Sequence, residues 1–219
     1  HVEHVFPELW RRFQKVLKQR NQLLRHGRID TDSLRAWTID LISLNEQITM
    51  YRKNYLTELE LYIKPVVESF DGLGDVSLEY AQGWTEGIDL AEVFEADRER
   101  DLATGTTSRG AHRADVRIFV DGVLAADRLS RGQSKLLVYA LKLAQASQYR
   151  AASGQGCVFL LDDLPAELDA ENRKDVLSYL DSLGCQYFVT GVERQDFEDV
   201  LEIKDVQMFH MEQGIVSNG

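Results

Sequence analysis

The sequence predicts an α/β protein that begins with an antiparallel pair of helices. Amphipathic periodicity covers residues 8–25 and, after a short break, residues 30–65. Further along, two apolar runs, CVFLL at 157–161 and YFVT at 187–190, flank a helical pattern near 170–183. Apolar strands joined through a helix are typical of a parallel sheet, which indicates the α/β class.

The two helices are predicted from apolar positions near a 3.6-residue period. The first has Leu9, Trp10, Phe13, Val16, Leu17 and Leu24. The second has Leu34, Trp37, Leu41, Leu44, Ile48, Tyr51, Tyr55, Leu59 and Tyr62. Gly27 is the expected cap of the first helix, DTDS at 30–33 offers caps for the second, and Pro65 is expected to end or kink it. Helices joined by a short loop pack as a hairpin, so we expect a helical arm or lid over residues 1–70.

Residues 71–219 are expected to form the α/β lobe. VSLEYA at 76–81 alternates as a strand does, and residues 88–101 have an acidic helical pattern. The Asp-Gly pair in VRIFVDGVLAA predicts a β-hairpin, and the last residues predict another. The run CVFLL predicts a strand that is buried on both faces.

Composition limits the possible functions. The formal net charge of −11 excludes a uniformly DNA-coating protein, so any nucleic-acid contact must be local. Cys157 and Cys185 predict buried thiols in a reducing compartment. Because no apolar run is long enough to span a bilayer, we expect a cytoplasmic protein. The start at His1 favours a fragment or a processed form.

The first helix has a concentration of basic residues in an acidic chain. They are Arg11, Arg12, Lys15, Lys18, Arg20, Arg25 and, after the helix, Arg28. Such a run is usually the solvated face of a helix. The alternative is contact with the phosphate backbone of DNA, with an affinity that falls as salt rises.

The stretch LSRGQSKLL at 129–137 opens an apolar-periodic helix. Ser130 and Gln133 have the spacing of a capping box, which is a common start of a helix. A helix N-terminus with a hydroxyl and a nearby glycine, here Gly132, is also suited to hold a phosphate. The local pattern leaves both interpretations open.

Two carboxylates, Asp162 and Asp163, follow the predicted strand 157–161. They could cap the next turn. Ligands of α/β sheets bind at the carboxyl ends of strands, where one carboxylate could hold Mg²⁺ and the other could orient a water. A rival hypothesis is a Mg²⁺-dependent nuclease or topoisomerase-type domain with Glu167 and Asp169 as further metal ligands. A third is a scaffold in which the pair only caps the turn.

In combination these motifs resemble the ABC-type ATPases of the SMC and RecF group. LSRGQ is similar to the signature motif, VFLLDD to the Walker B strand and ELD to the D-loop. More narrowly, VLKQRNQLLR, GAHRADVRI, LSRGQSKLLVYALKLAQ and LLDDLPAELD resemble the RecF family, in order and over nearly the whole chain. The resemblance implies an ABC-ATPase-like C-terminal lobe with the helical arm as a lid.

The resemblance also implies roles for individual residues. In such ATPases two heads enclose ATP, and the signature of one head closes over the γ-phosphate held by the other. Ser130, Gly132 and Gln133 would make that contact. Asp162 would help to bind Mg²⁺, and Asp163, where most relatives have glutamate, would act on the attacking water. Asp169 would lie at the dimer seam.

The function implied by the resemblance is an ATP-dependent DNA-binding recombination mediator. It would act in gap repair, replication-fork maintenance and the SOS response. ATP would close a homodimer on DNA, at single-strand/double-strand junctions or on duplex, and slow hydrolysis would release it. RecR is the implied protein partner.

The chain departs from the family pattern in three places. No G-x-x-x-x-G-K-[ST] P-loop is present, so we expect the C-terminal part of such a protein, inactive alone and without tight binding of ATP or Mg²⁺. The usual GPHR or GPHK is GAHR at 110–113, which leaves the role of His112 and Arg113 open. The switch histidine after the next strand is absent, and Thr190 or Glu193 occupies that region.

Overall fold

The computed structural model of the chain describes residues 5–25, 30–197 and 206–218. The chain divides into two compact units. The first comprises His1–Lys64 and Gly74–Arg128, and the second comprises Pro65–Leu73 and Leu129–Gly219. The division therefore differs from a boundary at residue 70, because the segment Gly74–Arg128 belongs with the long helices.

The described part of the first unit contains two long helices, three short ones and an antiparallel sheet. In chain order these are α1 (Phe6–Arg25), α2 (Thr31–Val67, with its last turn in the second unit), β1 (Val76–Ala81), α3 (Leu90–Ala96), α4 (Arg98–Thr104), β2 (Asp115–Val120), β3 (Val123–Leu124) and α5 (Ala125–Arg128). The predicted helix at 88–101 is thus interrupted at Asp97. Pro65 lies in the last turn of α2, and the helix ends two residues later.

The predicted antiparallel hairpin of α1 and α2 is confirmed. Near the start of α1, Phe6 contacts Tyr51 edge to face at 6.4 Å, and near its end the Arg20 Nε donates to the Thr38 hydroxyl at 3.1 Å. The apolar cluster also includes α3 and the turn after residue 110, which explains why these segments join the helices. Its buried members are Leu9, Phe13, Val16, Leu41, Leu44, Ile48, Leu90, Phe94 and Ala111.

The antiparallel sheet has the order β1-β2-β3. Strand β1 pairs with β2 from Val76 opposite Val120. The hairpin predicted from the Asp-Gly pair is confirmed: Asp121 and Gly122 have φ values of 49° and 78°. Positive φ at both central residues matches the right-handed twist of the strands that the turn joins.

The second unit contains a two-stranded parallel sheet, four helices or helical turns and a final hairpin. In chain order these are α6 (Arg131–Ser153), β4 (Val158–Leu161), α7 (Leu164–Glu167), α8 (Ala170–Ser182), β5 (Gln186–Val189), a 3-10 turn (Arg194–Phe197), β6 (Phe209–Glu212) and β7 (Ile215–Asn218). The predicted parallel pairing of β4 with β5 and the terminal hairpin are both confirmed.

The prediction that β4 is buried on both faces is wrong for the described part of the chain. Leu161 is 6% exposed, whereas Val158 is 59% and Leu160 is 78% exposed, and Phe188 of β5 is 51% exposed. Successive side chains of a strand point to opposite faces, and the described residues cover only one of them. An apolar face of this parallel sheet is therefore open.

The expected cap at Gly27 lies outside the described residues, as does Arg28. Within the described ranges, no helix has the length and apolar content needed to cross a membrane.

Candidate functional site

The signature-like segment begins helix α6. Ser130 is the N-cap: its hydroxyl accepts from the Gln133 backbone N–H at 3.3 Å, and the Gln133 side-chain oxygen accepts from the Ser130 N–H at 3.0 Å. The capping box expected from the spacing is therefore formed. A helix of 23 residues directs its positive N-terminal dipole end at this point, where an anion would be stabilised.

The amide nitrogen of the Gln133 side chain also forms a hydrogen bond. It donates to the Gly72 carbonyl at 3.0 Å. Both polar groups of the amide are thus occupied within the second unit, so Gln133 orients the start of the helix and is not an open ligand in this arrangement.

Gly132 lies in the first turn of α6, and packing does not require a glycine there. A Cβ built at this position would meet no atom within 4 Å. Its backbone is helical, so no positive φ demands glycine either. The space above this backbone is open to an incoming group.

The two neighbouring carboxylates follow the carboxyl end of β4, as predicted. Asp163 has a left-handed backbone with φ of 49°, which is uncommon and costly for a residue with a side chain. Its carbonyl accepts from the Ala166 N–H at 3.0 Å, and its side chain makes no capping bond to α7. Both Asp162 and Asp163 are exposed.

Thr190, the first residue after β5, contacts both of these aspartates. Its hydroxyl donates to Asp162 Oδ1 at 2.6 Å and accepts from the Asp163 N–H at 2.8 Å. The parallel pairing of β4 with β5 brings the two strand ends together, and no local pattern near Thr190 indicates the contact.

The other acidic residues of this segment are engaged elsewhere. Glu167 forms an ion pair with Lys135 of α6 at 2.8 Å. Asp169 is the N-cap of α8, and its two oxygens accept from the backbone and side-chain nitrogens of Asn172, each at 2.9 Å.

The acidic residues after β4 can be compared with the requirements of a metal ion. No group of three or more histidines, cysteines or acids suited to a metal ion occurs among the described residues, so the nuclease-type cluster with Glu167 and Asp169 is not supported. Mg²⁺ commonly uses one or two carboxylates together with substrate phosphates. Asp162 and Asp163 meet that smaller requirement.

The basic residues of α1 separate into two faces. Arg20 is buried, with only 2% of its side chain exposed, and the prediction that it contacts DNA is therefore wrong. It forms an ion pair with Asp101, donates to the Thr107 hydroxyl at 2.6 Å and lies over the Phe94 ring. Arg20 follows Arg11 by nine residues, a rotation of about 180° at 3.6 residues per turn, so a helical wheel could have found the difference.

The remaining basic residues lie on the open side of the helix. They are Arg11, Arg12, Lys15, Lys18 and Arg25. The Arg25 Nε donates to the Gly105 carbonyl at 3.1 Å, and the Arg11 Nε to the Pro7 carbonyl at 3.2 Å. An open cleft of about 330 Å³ lies along this face, lined by Gln14, Leu17, Lys18, Asn21, Gln22 and Arg25.

The GAHR segment joins the helical arm to the sheet. Gly110 has φ of 129°, and a Cβ there would come within 2.7 Å of the buried Asn45 side-chain oxygen, which accepts from the Ala111 N–H. His112 Nε2 lies 3.0 Å from the Thr107 carbonyl and therefore carries the proton. Burial lowers the His112 pKa, and its buried Nδ1 has no hydrogen-bond partner in the described residues. These contacts indicate that His112 stabilises the fold of this segment.

The chain is similar to known RecF proteins over nearly its whole length. The chain is 41% identical to the DNA replication and repair protein RecF of Chromohalobacter salexigens and 42% identical to those of Cellvibrio japonicus and Pseudomonas aeruginosa. These matches cover 98–99% of the chain and 59–60% of each relative. The chain thus spans about three fifths of the length of the relatives it matches.

A solved structure of the recombination mediator RecF with ATP, from the RecFOR pathway, has the same fold. Its TM-score is 0.80 at 23% identity, over 99% of this chain and 59% of that one. The family model described as RecF/RecN/SMC N terminal domain matches residues 14–217. That description does not support the expected C-terminal placement. The match over most of the chain shows that it belongs to the RecF/RecN/SMC N-terminal domain family.

Proposed function

We propose that this chain supplies the signature, Walker B and D-loop side of an ATP site in a RecF-type recombination mediator. In this proposal, Ser130 and the backbone around Gly132 contact the γ-phosphate of a nucleotide held by a second head. Asp162 helps to hold Mg²⁺, and Asp163 orients the attacking water. The observation that carries the proposal is the start of α6, where a capped 23-residue helix leaves the space over Gly132 open.

We propose further parts of the function on the resemblance to RecF proteins. ATP drives a homodimer that retains DNA, hydrolysis is weak, and RecR is the protein partner. Mg²⁺ would supply charge neutralisation on the phosphates when bound. The chain contains no P-loop motif, so we propose that a segment outside this sequence provides it and that the chain alone is inactive.

The proposal has a test that separates function from folding. In a longer protein that joins this chain to a Walker A segment, Gly132→Ala should leave the free energy of unfolding equal or slightly higher, since alanine favours helix. It should nevertheless abolish ATP-dependent dimerisation, measured by light scattering, because the methyl group occupies the space of the phosphate.

Gly156→Ala is the matched control, because a Cβ there meets no atom closer than 4.0 Å and lies far along the chain from the signature. The chain without the Walker A segment should neither dimerise nor retain DNA with ATP. Normal ATP-dependent dimerisation of the Gly132→Ala protein would contradict the proposal and favour a scaffold.

We also propose that the exposed basic face of α1 contacts DNA phosphates. Arg11, Lys15, Lys18 and Arg25 follow one another at steps of four, three and seven residues, which keeps them on one side of the helix. They span 14 residues, or about 21 Å at 1.5 Å per residue. Such a stripe is localised positive charge on an otherwise acidic chain.

The proposed DNA interface is tested by charge reversal of Arg11, Arg12, Lys15 and Lys18 to glutamate in the longer protein. DNA affinity should fall, and the slope of log affinity against log salt should drop by about 0.9 for each phosphate that the helix no longer neutralises. Reversal of four other basic residues outside α1, Arg35, Arg100, Lys142 and Lys174, is the control. Equal effects of the two sets would contradict a specific role of α1.

A further inference from the structure

The Thr190 hydroxyl joins the two residues that carry carboxylates after β4. It lies 2.6 Å from Asp162 Oδ1 and 2.8 Å from the Asp163 backbone nitrogen. The Thr190 N–H also donates to the Leu161 carbonyl at 3.0 Å. Three hydrogen bonds thus fasten the end of β5 to the end of β4.

The direction of each bond follows from the chemistry of the groups. A backbone N–H only donates and a carboxylate only accepts, whereas a hydroxyl has one proton and two lone pairs. The Thr190 proton therefore points to Asp162, and a lone pair receives the Asp163 N–H. A side chain of the same shape without the hydroxyl can make neither bond.

The bond to the Asp163 N–H acts at a strained point of the chain. A left-handed backbone at a residue other than glycine is unfavourable and persists where neighbouring groups hold it. Asp163 is held on both sides, by Thr190 at its nitrogen and by Ala166 at its carbonyl. The left-handed turn at Asp163 thus depends on Thr190.

The bond to Asp162 acts on the orientation of its carboxylate. One oxygen, Oδ1, receives the Thr190 proton, which restricts rotation of the carboxylate and leaves Oδ2 for another ligand. A carboxylate that is fixed before a cation arrives loses less side-chain entropy when it binds. The strong, charge-assisted bond makes this restriction effective.

We propose that Thr190 is a positioning residue that holds Asp162 and Asp163 in the arrangement required for a divalent cation and a water. This inference deepens the proposed function and rests on it for the nucleotide. The motif pattern showed only that Thr190 lies in the region of the absent switch histidine, and this inference gives it a role. In this role Thr190 acts through the two aspartates, since its hydroxyl donates to Asp162 and accepts from the Asp163 N–H.

The test compares Thr190→Val, which keeps the shape, with Thr190→Ser, which keeps the hydroxyl. The first measurement is hydrogen exchange of the Asp163 amide by NMR. The second is titration with Mn²⁺ alone, followed by paramagnetic broadening of the amide signals of residues 161–164. Both use this chain and require no ATP. Thr57→Val, at an exposed position of α2, is the matched control.

In Thr190→Val, the Asp163 amide should exchange about tenfold faster, the effect of losing one hydrogen bond of ordinary strength. Mn²⁺ affinity should fall about tenfold, the lower end for a lost hydrogen-bond partner of a metal ligand. Thr190→Ser should restore both to within about twofold of the original chain, because it keeps the donor and acceptor. Thr57→Val should change neither.

Unchanged exchange in Thr190→Val would overturn the proposal, and so would faster exchange with unchanged Mn²⁺ affinity, since Thr190 would then hold only the turn. Absence of Mn²⁺ broadening near Asp162 in the original chain would overturn it as well. Failure of the proposed ATPase function would give a different result. The longer protein without substitutions would not hydrolyse ATP, while Thr190→Val would still change amide exchange and Mn²⁺ affinity in this chain.

Discussion

Arg20 and Asp101 form a buried ion pair, with 2.8 Å between Arg20 Nη1 and Asp101 Oδ2 and side chains that are 2% and 0% exposed. The pair links α1 to α4, and the other Asp101 oxygen accepts from the Ser108 N–H at 2.9 Å. The Thr107 hydroxyl accepts from the same Arg20 and donates to the side-chain oxygen of Asn21 of α1. This buried cation, together with Asn21 and Arg25 of α1, therefore fastens the loop after α4 to the helical arm.

Removal of Arg20 should destabilise the first unit strongly. In Arg20→Met, Asp101 remains buried without its cation, and breaking a buried pair in this way costs about 3–5 kcal/mol. Urea denaturation measures the free energy of unfolding. Arg117→Met is the control, because its pair with Glu79 is 56% and 54% exposed and such pairs contribute at most about 1 kcal/mol. Similar losses in the two variants would contradict the buried network.

The stability of the start of α6 should depend on Ser130 and Gln133, which form one capping box. Ser130→Ala removes the N-cap and should cost about 1 kcal/mol of stability. Gln133→Ala removes the reciprocal bond and the bond to Gly72. Because both changes break one capping box, their double variant should lose less than the sum of the single losses, as measured by thermal unfolding.

Gln133→Glu distinguishes the two bonds of the glutamine. The carboxylate can still accept from the Ser130 N–H but cannot donate to the Gly72 carbonyl. The segment around Gly72 should therefore show faster amide exchange while the capping box is retained. Full retention of exchange protection around Gly72 would mean that this bond is not formed in solution.

His112 should make stability fall as the pH drops below about 6.5, the ordinary pKa of histidine. Burial lowers its pKa below the ordinary value of 6.5, with Arg113 and Arg20 adding to the effect and the Thr107 carbonyl and Asp101 opposing it. The unfolded chain then binds the proton more readily. The His112 contribution is fully present above pH 6.5 and is lost as pH falls through its lowered folded pKa.

The measurement is the free energy of unfolding against pH for the original chain and for His112→Asn. Carboxylates titrate in both proteins, so the difference curve isolates the histidine. It should decline below pH 6.5. A difference curve that stays flat as the pH falls below 6.5 would contradict a lowered folded pKa of His112.

Truncation of two neighbouring leucines of β4 should cost very different amounts of stability. Leu161→Ala removes a side chain that is 6% exposed and should cost about 2–5 kcal/mol. Leu160→Ala removes one that is 78% exposed and should change stability by no more than about 0.5 kcal/mol. Leu160→Lys should also reduce concentration-dependent self-association in sedimentation experiments, since the open apolar face loses its most exposed side chain. A large stability loss in Leu160→Ala would contradict the described packing.

Local patterns predicted most of the elements correctly. Helical periodicity indicated α1, α2 and α6, and the Asp121–Gly122 pair indicated its hairpin, because these features depend on residues that are near one another in sequence. The capping box of Ser130 and Gln133 was predictable for the same reason. The order of LSRGQ before LLDD also indicated the family, since that combination is far more specific than either motif.

The sequence by itself therefore determined most of the elements, the parallel strand pairing and the motifs that place the chain in its family. Only the tertiary structure decided which polar groups meet. Arg20 pairs with a residue 81 positions away, and Thr190 bonds to Asp162 across 28 positions. Such contacts arise from the packing of separate elements, and a buried cation or a shared hydroxyl has the same local sequence pattern as an exposed one.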